Sequence, residues 1–119
     1  MKKHSVKSIR INGEVQKELS AIIRESKDPR IHPMTSVVMA DVATDLRTCK
    51  AYISVLGDDK DRSRTEEGLK SAAGFIRKEL ARRLNLRNTP ELTFIMDTSI
   101  EDAIRMTRLI DEVIKNENS

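Results

Sequence analysis

The residue types that most often supply nucleophiles, bases and metal ligands are scarce in this chain: one cysteine, Cys49, and two histidines, His4 and His32. A lone thiol rules out an intramolecular disulfide and any zinc site of the Cys/His type. Cys49 opens a β-branched segment, where a small thiol reads as a buried apolar residue. His4 falls in a terminal segment expected to fray, and His32 in a proline-bounded loop. Glu66-Glu67 and Glu101-Asp102 are neighbouring carboxylates, but each pair sits in the first turn of a predicted helix, where acidic side chains stabilise the helix dipole. The sequence contains neither a GxxxxGK phosphate loop nor a GxGxxG turn. No constellation for catalysis, for a metal or for a cofactor emerges, and the chain reads as a protein that is not an enzyme and takes no small-molecule substrate.

Cations carry the positive signal. Lys and Arg number 22 against 19 Asp and Glu, a net charge of +3 that conceals a strong pattern. Residues 1–30 carry +4, 31–61 carry −2, 62–88 carry +5 and 89–119 carry −4. Two basic segments meeting on one face would make a surface that attracts a polyanion. Within the second lie Arg77, Lys78, Arg82, Arg83 and Arg87. At 100° per residue Lys78 and Arg82 fall opposite Ile76, Leu80 and Leu84, while Arg77 and Arg83 flank that apolar stripe. The planar guanidinium fork matches phosphate oxygens two at a time. These five cations are therefore candidate phosphate contacts, with Arg10, Lys17 and Arg30 peripheral to them.

Aromatic residues make up 3% of the chain: Tyr52, Phe75 and Phe94. Phe75 and Phe94 are expected in the core, which leaves Tyr52 as a stacking surface. That scarcity argues against single strands stacked on a sheet and favours RNA recognised by backbone and shape.

The elements that must position these groups follow from periodicity. From Ser8 to Lys27, Ile11, Val15, Leu19, Ile22 and Ile23 recur at steps of three and four, the apolar face of a helix. Asp28-Pro29-Arg30 ends it, and with His32-Pro33 predicts an extended, stiff connection. Thr35 to Val42 and Cys49 to Leu56 read as an antiparallel pair of strands. Ser63-Arg64-Thr65-Glu66 fits a capping box that starts a helix. That helix meets Ala72-Ala73-Gly74, where glycine predicts a kink, and resumes from Phe75 to Leu84. Leu92, Phe94 and Met96 alternate in a third strand. After Asp97-Thr98-Ser99 a final helix runs to about Asn116 with Ile100, Ala103, Ile104, Thr107, Ile110 and Ile114 on one face.

The expected order is α-β-β-α-kink-α-β-α: an α+β fold with helices packed on one face of a three-stranded sheet. Helices interrupted by a glycine between strands suggest a KH-like unit that lacks the usual GxxG loop. At 119 residues this is expected to be one domain, frayed at 1–7 and 117–119. No apolar run is long enough to span a bilayer, and Met1-Lys2-Lys3-His4-Ser5 leads into no signal-peptide core. A cytoplasmic protein with no membrane partner is the expectation.

Four groups of residues stand out together: Asp28-Pro29-Arg30; Asp45-Leu46 followed by Lys50-Ala51-Tyr52-Ile53-Ser54; Ala72-Ala73-Gly74-Phe75-Ile76-Arg77; and Leu86-Arg87 leading into Pro90-Glu91-Leu92-Thr93-Phe94 and Asp97-Thr98-Ser99. In this order they resemble the ribosome-binding factor A family. The resemblance implies a type II KH domain in which an Ala-x-Gly kink replaces GxxG. It further implies a monomeric assembly factor that binds the immature 30S ribosomal subunit and assists late maturation of 16S rRNA, including its 5′ end. A link to an assembly GTPase and a role in the cold are implied with it. A second reading, from the residues alone, is a protein-interaction adaptor whose working face is the acidic last helix with Glu101, Asp102, Asp111 and Glu112.

Overall fold

Ile11, Val15, Leu19, Ile22 and Ile23 form the inner face of α1 (Val6–Glu25), and all but the half-buried Ile11 are within the core. In this computed structural model, which describes residues 6–87 and 89–117, α1 is followed by β1 (Thr35–Val42), β2 (Thr48–Val55), α2 (Asp59–Ser71), α3 (Ala73–Leu84), β3 (Glu91–Met96) and α4 (Ser99–Glu117). The fraying expected at 1–5 and 118–119, His4 with it, lies outside the described residues, as do Asn88 and the side chains of Val6, Lys7, Ser8, Ile100 and Glu101. Val6, Lys7 and Glu117 belong to helices.

The sheet is mixed, in the order β1-β2-β3. β1 and β2 pair antiparallel, with Thr35 opposite Val55 and Val42 opposite Cys49. β2 and β3 pair parallel, with Cys49 beside Leu92 and Ala51 beside Phe94. The central strand turns Cys49, Ala51, Ile53 and Val55 inward and all four are fully buried, the period-two pattern of a strand with one face in the core. A register shift between Val37 and Met39 marks a bulge in β1. There Gln16 Nε2 donates to the carbonyls of Val37 and Val38, both at 3.1 Å, while Asn12 Oδ1 accepts from the Val42 amide at 3.0 Å. Since β1 is an edge strand, α1 thereby satisfies backbone groups that the ladder leaves over.

The connection from α1 to β1 is not the extended strap that its prolines suggest. Ile31 N bonds to Asp28 O at 3.1 Å and Thr35 N to His32 O at 3.2 Å, so Pro29 and Pro33 each take the second position of a tight turn, where their fixed φ fits. Asp28 Oδ1 also accepts from the Arg30 amide at 2.9 Å. This double turn packs against α2. Gly68 comes so close that an added Cβ would stand 3.1 Å from Arg30 Cβ and from Ile31 Cγ1. The fully buried Thr65 hydroxyl accepts from the His32 amide at 3.1 Å.

Three further expectations are corrected. The capping box of α2 is not at Ser63 but at Asp58, whose carboxylate accepts from Asp61 N at 2.8 Å while Asp61 Oδ2 accepts from Asp58 N at 3.1 Å. With α2 starting at Asp59, Thr65 becomes a mid-helix residue free to face the double turn. The break between α2 and α3 falls at Ala72 (φ −90, ψ 1), not at the glycine: Gly74 lies inside the first turn of α3 without a positive φ. Finally, α1, α2 and α3 pack on the sheet, but α4 does not. Ile104, Met106, Leu109, Ile110, Val113 and Ile114 are all about half exposed.

Candidate nucleic-acid interface

α1 and α3 lie against one another, and their outward faces form the outer surface of the helical layer. On α1, Arg10 and Lys17 are seven residues apart, hence on one line along the helix, opposite Val15, Leu19 and Ile22. Both are exposed. Arg24 continues the line one further heptad, is exposed as well, and went unrecognised in the sequence although its spacing from Lys17 repeats that of Lys17 from Arg10. On α3, Lys78 and Arg82 face outward, as the wheel requires when Ile76 and Leu80 are buried.

The other candidates are placed differently. Arg77 donates through Nε to Pro90 O at 3.0 Å and through an Nη to Thr89 O at 3.2 Å, tying the segment before β3 to α3. Arg83 lies between α3 and α1, donating to Glu25 Oε2 at 2.5 Å and to Glu79 Oε2 at 3.3 Å, with Glu18 at 3.9 Å. The Glu25 and Glu79 hydrogen bonds push its already high pKa higher. Arg30 grips Asp28 with Nε at 3.1 Å and Nη2 at 2.8 Å. These three guanidinium groups are engaged by their own chain, because each flanks a core stripe or a turn where carboxylates or carbonyls lie within reach. Arg87 is exposed and stands apart, lining with Asp45, Leu46 and Pro90 a cleft of about 170 Å³ beside the β1–β2 turn.

Arg82 occupies an intermediate position. Its guanidinium bonds Glu79 at 2.7 Å, yet its side chain is 69% exposed and the pair is one helical turn long, so solvent screening leaves it easily exchanged for another anion. The bond from Arg82 holds the Glu79 carboxyl below its usual range. Lys78, Arg10, Lys17 and Arg24 make no ion pair among the described residues.

Next to these cations the surface is unexpectedly open. An added Cβ at Gly74 would meet nothing within 4 Å, so neither conformation nor close packing inside the chain demands glycine there. Phe75, expected in the core, is instead 61% exposed. At 100° per residue Phe75 falls on the face of Lys78 and Arg82, so with Ile76 and Leu80 buried the ring must point outward. Phe94 is buried as expected, and Tyr52, half-buried on the far face of the sheet, lines a cleft of about 510 Å³ with Met39, Ile95 and Asp102. Among the described residues no group of His, Cys, Asp and Glu could hold a metal ion, and no helix is long and apolar enough to cross a membrane.

The family model described as ribosome-binding factor A matches residues 7–110. The chain belongs to the ribosome-binding factor A family. It is 66% identical over 119 residues to a ribosome-binding factor A of Lachnospira eligens, covering 99% of this chain and 92% of that protein. To the Clostridium tetani protein of the same name it is 47% identical over 110 residues, covering 92% and 91%. Among solved structures, the solution structure of a Thermotoga maritima protein described as a putative ribosome binding factor A has a TM-score of 0.69 at 28% identity, over 79% of this chain and 90% of that one. A homology model of the Thermus thermophilus ribosome binding factor A, fitted into a cryo-EM map of its 30S complex, shares the fold at a TM-score of 0.63 and 21% identity, over 73% and 91%. Both therefore share the α+β fold of this chain over the aligned part.

Proposed function

We propose that the protein binds the immature 30S ribosomal subunit, holding 16S rRNA phosphates against the outer surface of α1 and α3, and assists late maturation of that RNA, including its 5′ end. The observation that carries this reading is the set of solvent-facing cations Arg10 and Lys17 on α1 and Lys78 and Arg82 on α3, with Gly74 open in the first turn of α3, in a member of the ribosome-binding factor A family. A relative of the same fold has been fitted into a 30S complex, which supports the choice of partner. In this reading the unit is a type II KH-like domain in which Ala72-Ala73-Gly74 replaces the GxxG loop. It acts as a monomer in the cytoplasm, needs no cofactor, matters most in the cold and leaves with the help of an assembly GTPase. Arg77, Arg83 and Arg30 contribute by fixing the scaffold, and Arg87 extends the contact at the β1–β2 end.

The test is co-sedimentation with immature subunits. Lys78→Glu with Arg82→Glu should abolish it at a salt concentration where the unaltered chain binds, and each lost phosphate contact should flatten the salt dependence of the remaining affinity. Unchanged binding by a folded double variant overturns this surface.

The exposed apolar face of α4 favours a second role alongside the first, as a contact for a protein partner. Pull-down after nuclease treatment separates the two, since a partner that persists without RNA must be held by protein.

A further inference from the structure

We infer that Phe75 is a stacking platform for an unpaired base, with Lys78 and Arg82 holding the phosphates that flank it. The inference rests on the RNA-binding reading above and names the part of the RNA that α3 takes.

Phe75, Lys78 and Arg82 stand at i, i+3 and i+7, so they share one face of α3 and follow one another along its axis, the two cations about 6 Å apart in rise. All three are exposed. Of the chain's three aromatics, Phe94 lies inside the core and Tyr52 is half-buried on the opposite face of the sheet, so Phe75 is the one most open to solvent, and it stands in line with two exposed cations. Gly74 precedes the ring, and with nothing within 4 Å of its absent Cβ the space next to Phe75 is free for a ribose to approach the helix backbone. A duplex cannot use such a platform, since its bases are already stacked on each other. A single-stranded or bulged nucleotide can: its π-face meets the ring while the neighbouring phosphates meet the ammonium and guanidinium groups. A protein partner would use the ring as a plain apolar contact and would not need two cations in line with it.

The chain contains no tryptophan, so Phe75→Trp supplies a single indole at the proposed contact, excited at wavelengths where Tyr52 does not absorb. Oligoadenylate should quench its emission, and the duplex of oligoadenylate with oligouridylate should not. Phe75→Leu, which keeps an apolar side chain without a π-face, should weaken oligoadenylate binding about ten-fold, within the range that one base–aromatic stack contributes. Equal affinity of Phe75→Leu and the unaltered chain, or emission unchanged at saturating oligoadenylate, overturns the inference. Emission that responds to RNA-free ribosomal proteins and not to oligoadenylate overturns it too and assigns Phe75 to a protein contact. If Lys78→Glu with Arg82→Glu loses RNA while Phe75→Leu keeps it, the stacking role alone falls. If both variants bind oligoadenylate and subunits like the unaltered chain, the reading of α3 as an RNA surface falls with it.

Discussion

Arg83 Nη2 on α3 lies 2.5 Å from Glu25 Oε2 at the end of α1, joining residues 58 apart in the chain. With Glu79 and Glu18 around the same guanidinium, the contact couples two helices whose outer faces carry the cationic array. Arg83→Gln should therefore lower the melting temperature by a few degrees and leave RNA affinity nearly unchanged. Exchanging the charges, Arg83→Glu with Glu25→Arg, should recover part of the loss in a double-mutant cycle. A large loss of affinity at unchanged stability would instead place Arg83 on the RNA.

Gly74→Ala separates folding from binding. The helix gains about 0.5–1 kcal/mol of intrinsic propensity, and the new methyl meets nothing in the chain. Chemical denaturation should show the variant stabilised, while oligoadenylate affinity should fall because the methyl enters space beside Phe75. At Gly68 the same substitution meets Arg30 Cβ and Ile31 Cγ1 at 3.1 Å, and the double turn must shift to admit it. Much of the propensity gain should be lost there, so Gly68→Ala should be less stable than Gly74→Ala.

Thr65→Val keeps the shape of a fully buried side chain and removes its oxygen, which leaves the His32 amide without its acceptor. An unmet buried donor costs about 1–3 kcal/mol. Urea unfolding should show a loss of that size with an unchanged m-value, and amide exchange at His32 should quicken.

Asp28 and Cys49 contribute to stability in opposite pH ranges. The Arg30 hydrogen bond holds the Asp28 carboxyl at about 2 against an ordinary 3.8. A lowered folded pKa means that this contribution is complete above 3.8 and is lost as pH falls from there to about 2. Asp28→Asn should flatten the stability profile in that window. Burial pushes the Cys49 thiol the other way, from 9.0 to about 11, so its contribution is intact below 9.0 and is lost as pH rises toward 11. Cys49→Ala should flatten the alkaline limb, and the native thiol should react with a disulfide reagent at the rate of unfolding.

How much was legible in the sequence depended on whether the deciding interaction was local. The strand β1 runs over Thr35–Val42, where a β-branched and apolar run placed it, and β3 runs from Glu91 to Met96, where Leu92, Phe94 and Met96 alternate, because both signals are written in adjacent residues. The inner face of α1 and the outward direction of Lys78 and Arg82 follow from a period of 3.6 in the same way. The ends were less legible: Ser63-Arg64-Thr65-Glu66 and Asp58 to Asp61 both satisfy a capping pattern, and choosing between them requires knowing that Thr65 is needed against the double turn.

By itself, then, the sequence determined the order of helices and strands and the family to which the chain belongs. Tertiary structure decided which charges are free. Arginine type and spacing say how far Arg77, Arg83 and Arg30 can reach, but not that Pro90 O, Glu25 and Asp28 are waiting at those distances. Tertiary structure likewise left α4 uncovered, whereas the outward direction of Phe75 is already written in the period that turns Lys78 and Arg82 outward. Amphipathic periodicity shows that a helix has a face to bury; whether anything in the chain meets that face depends on contacts distant in sequence, which no local pattern records.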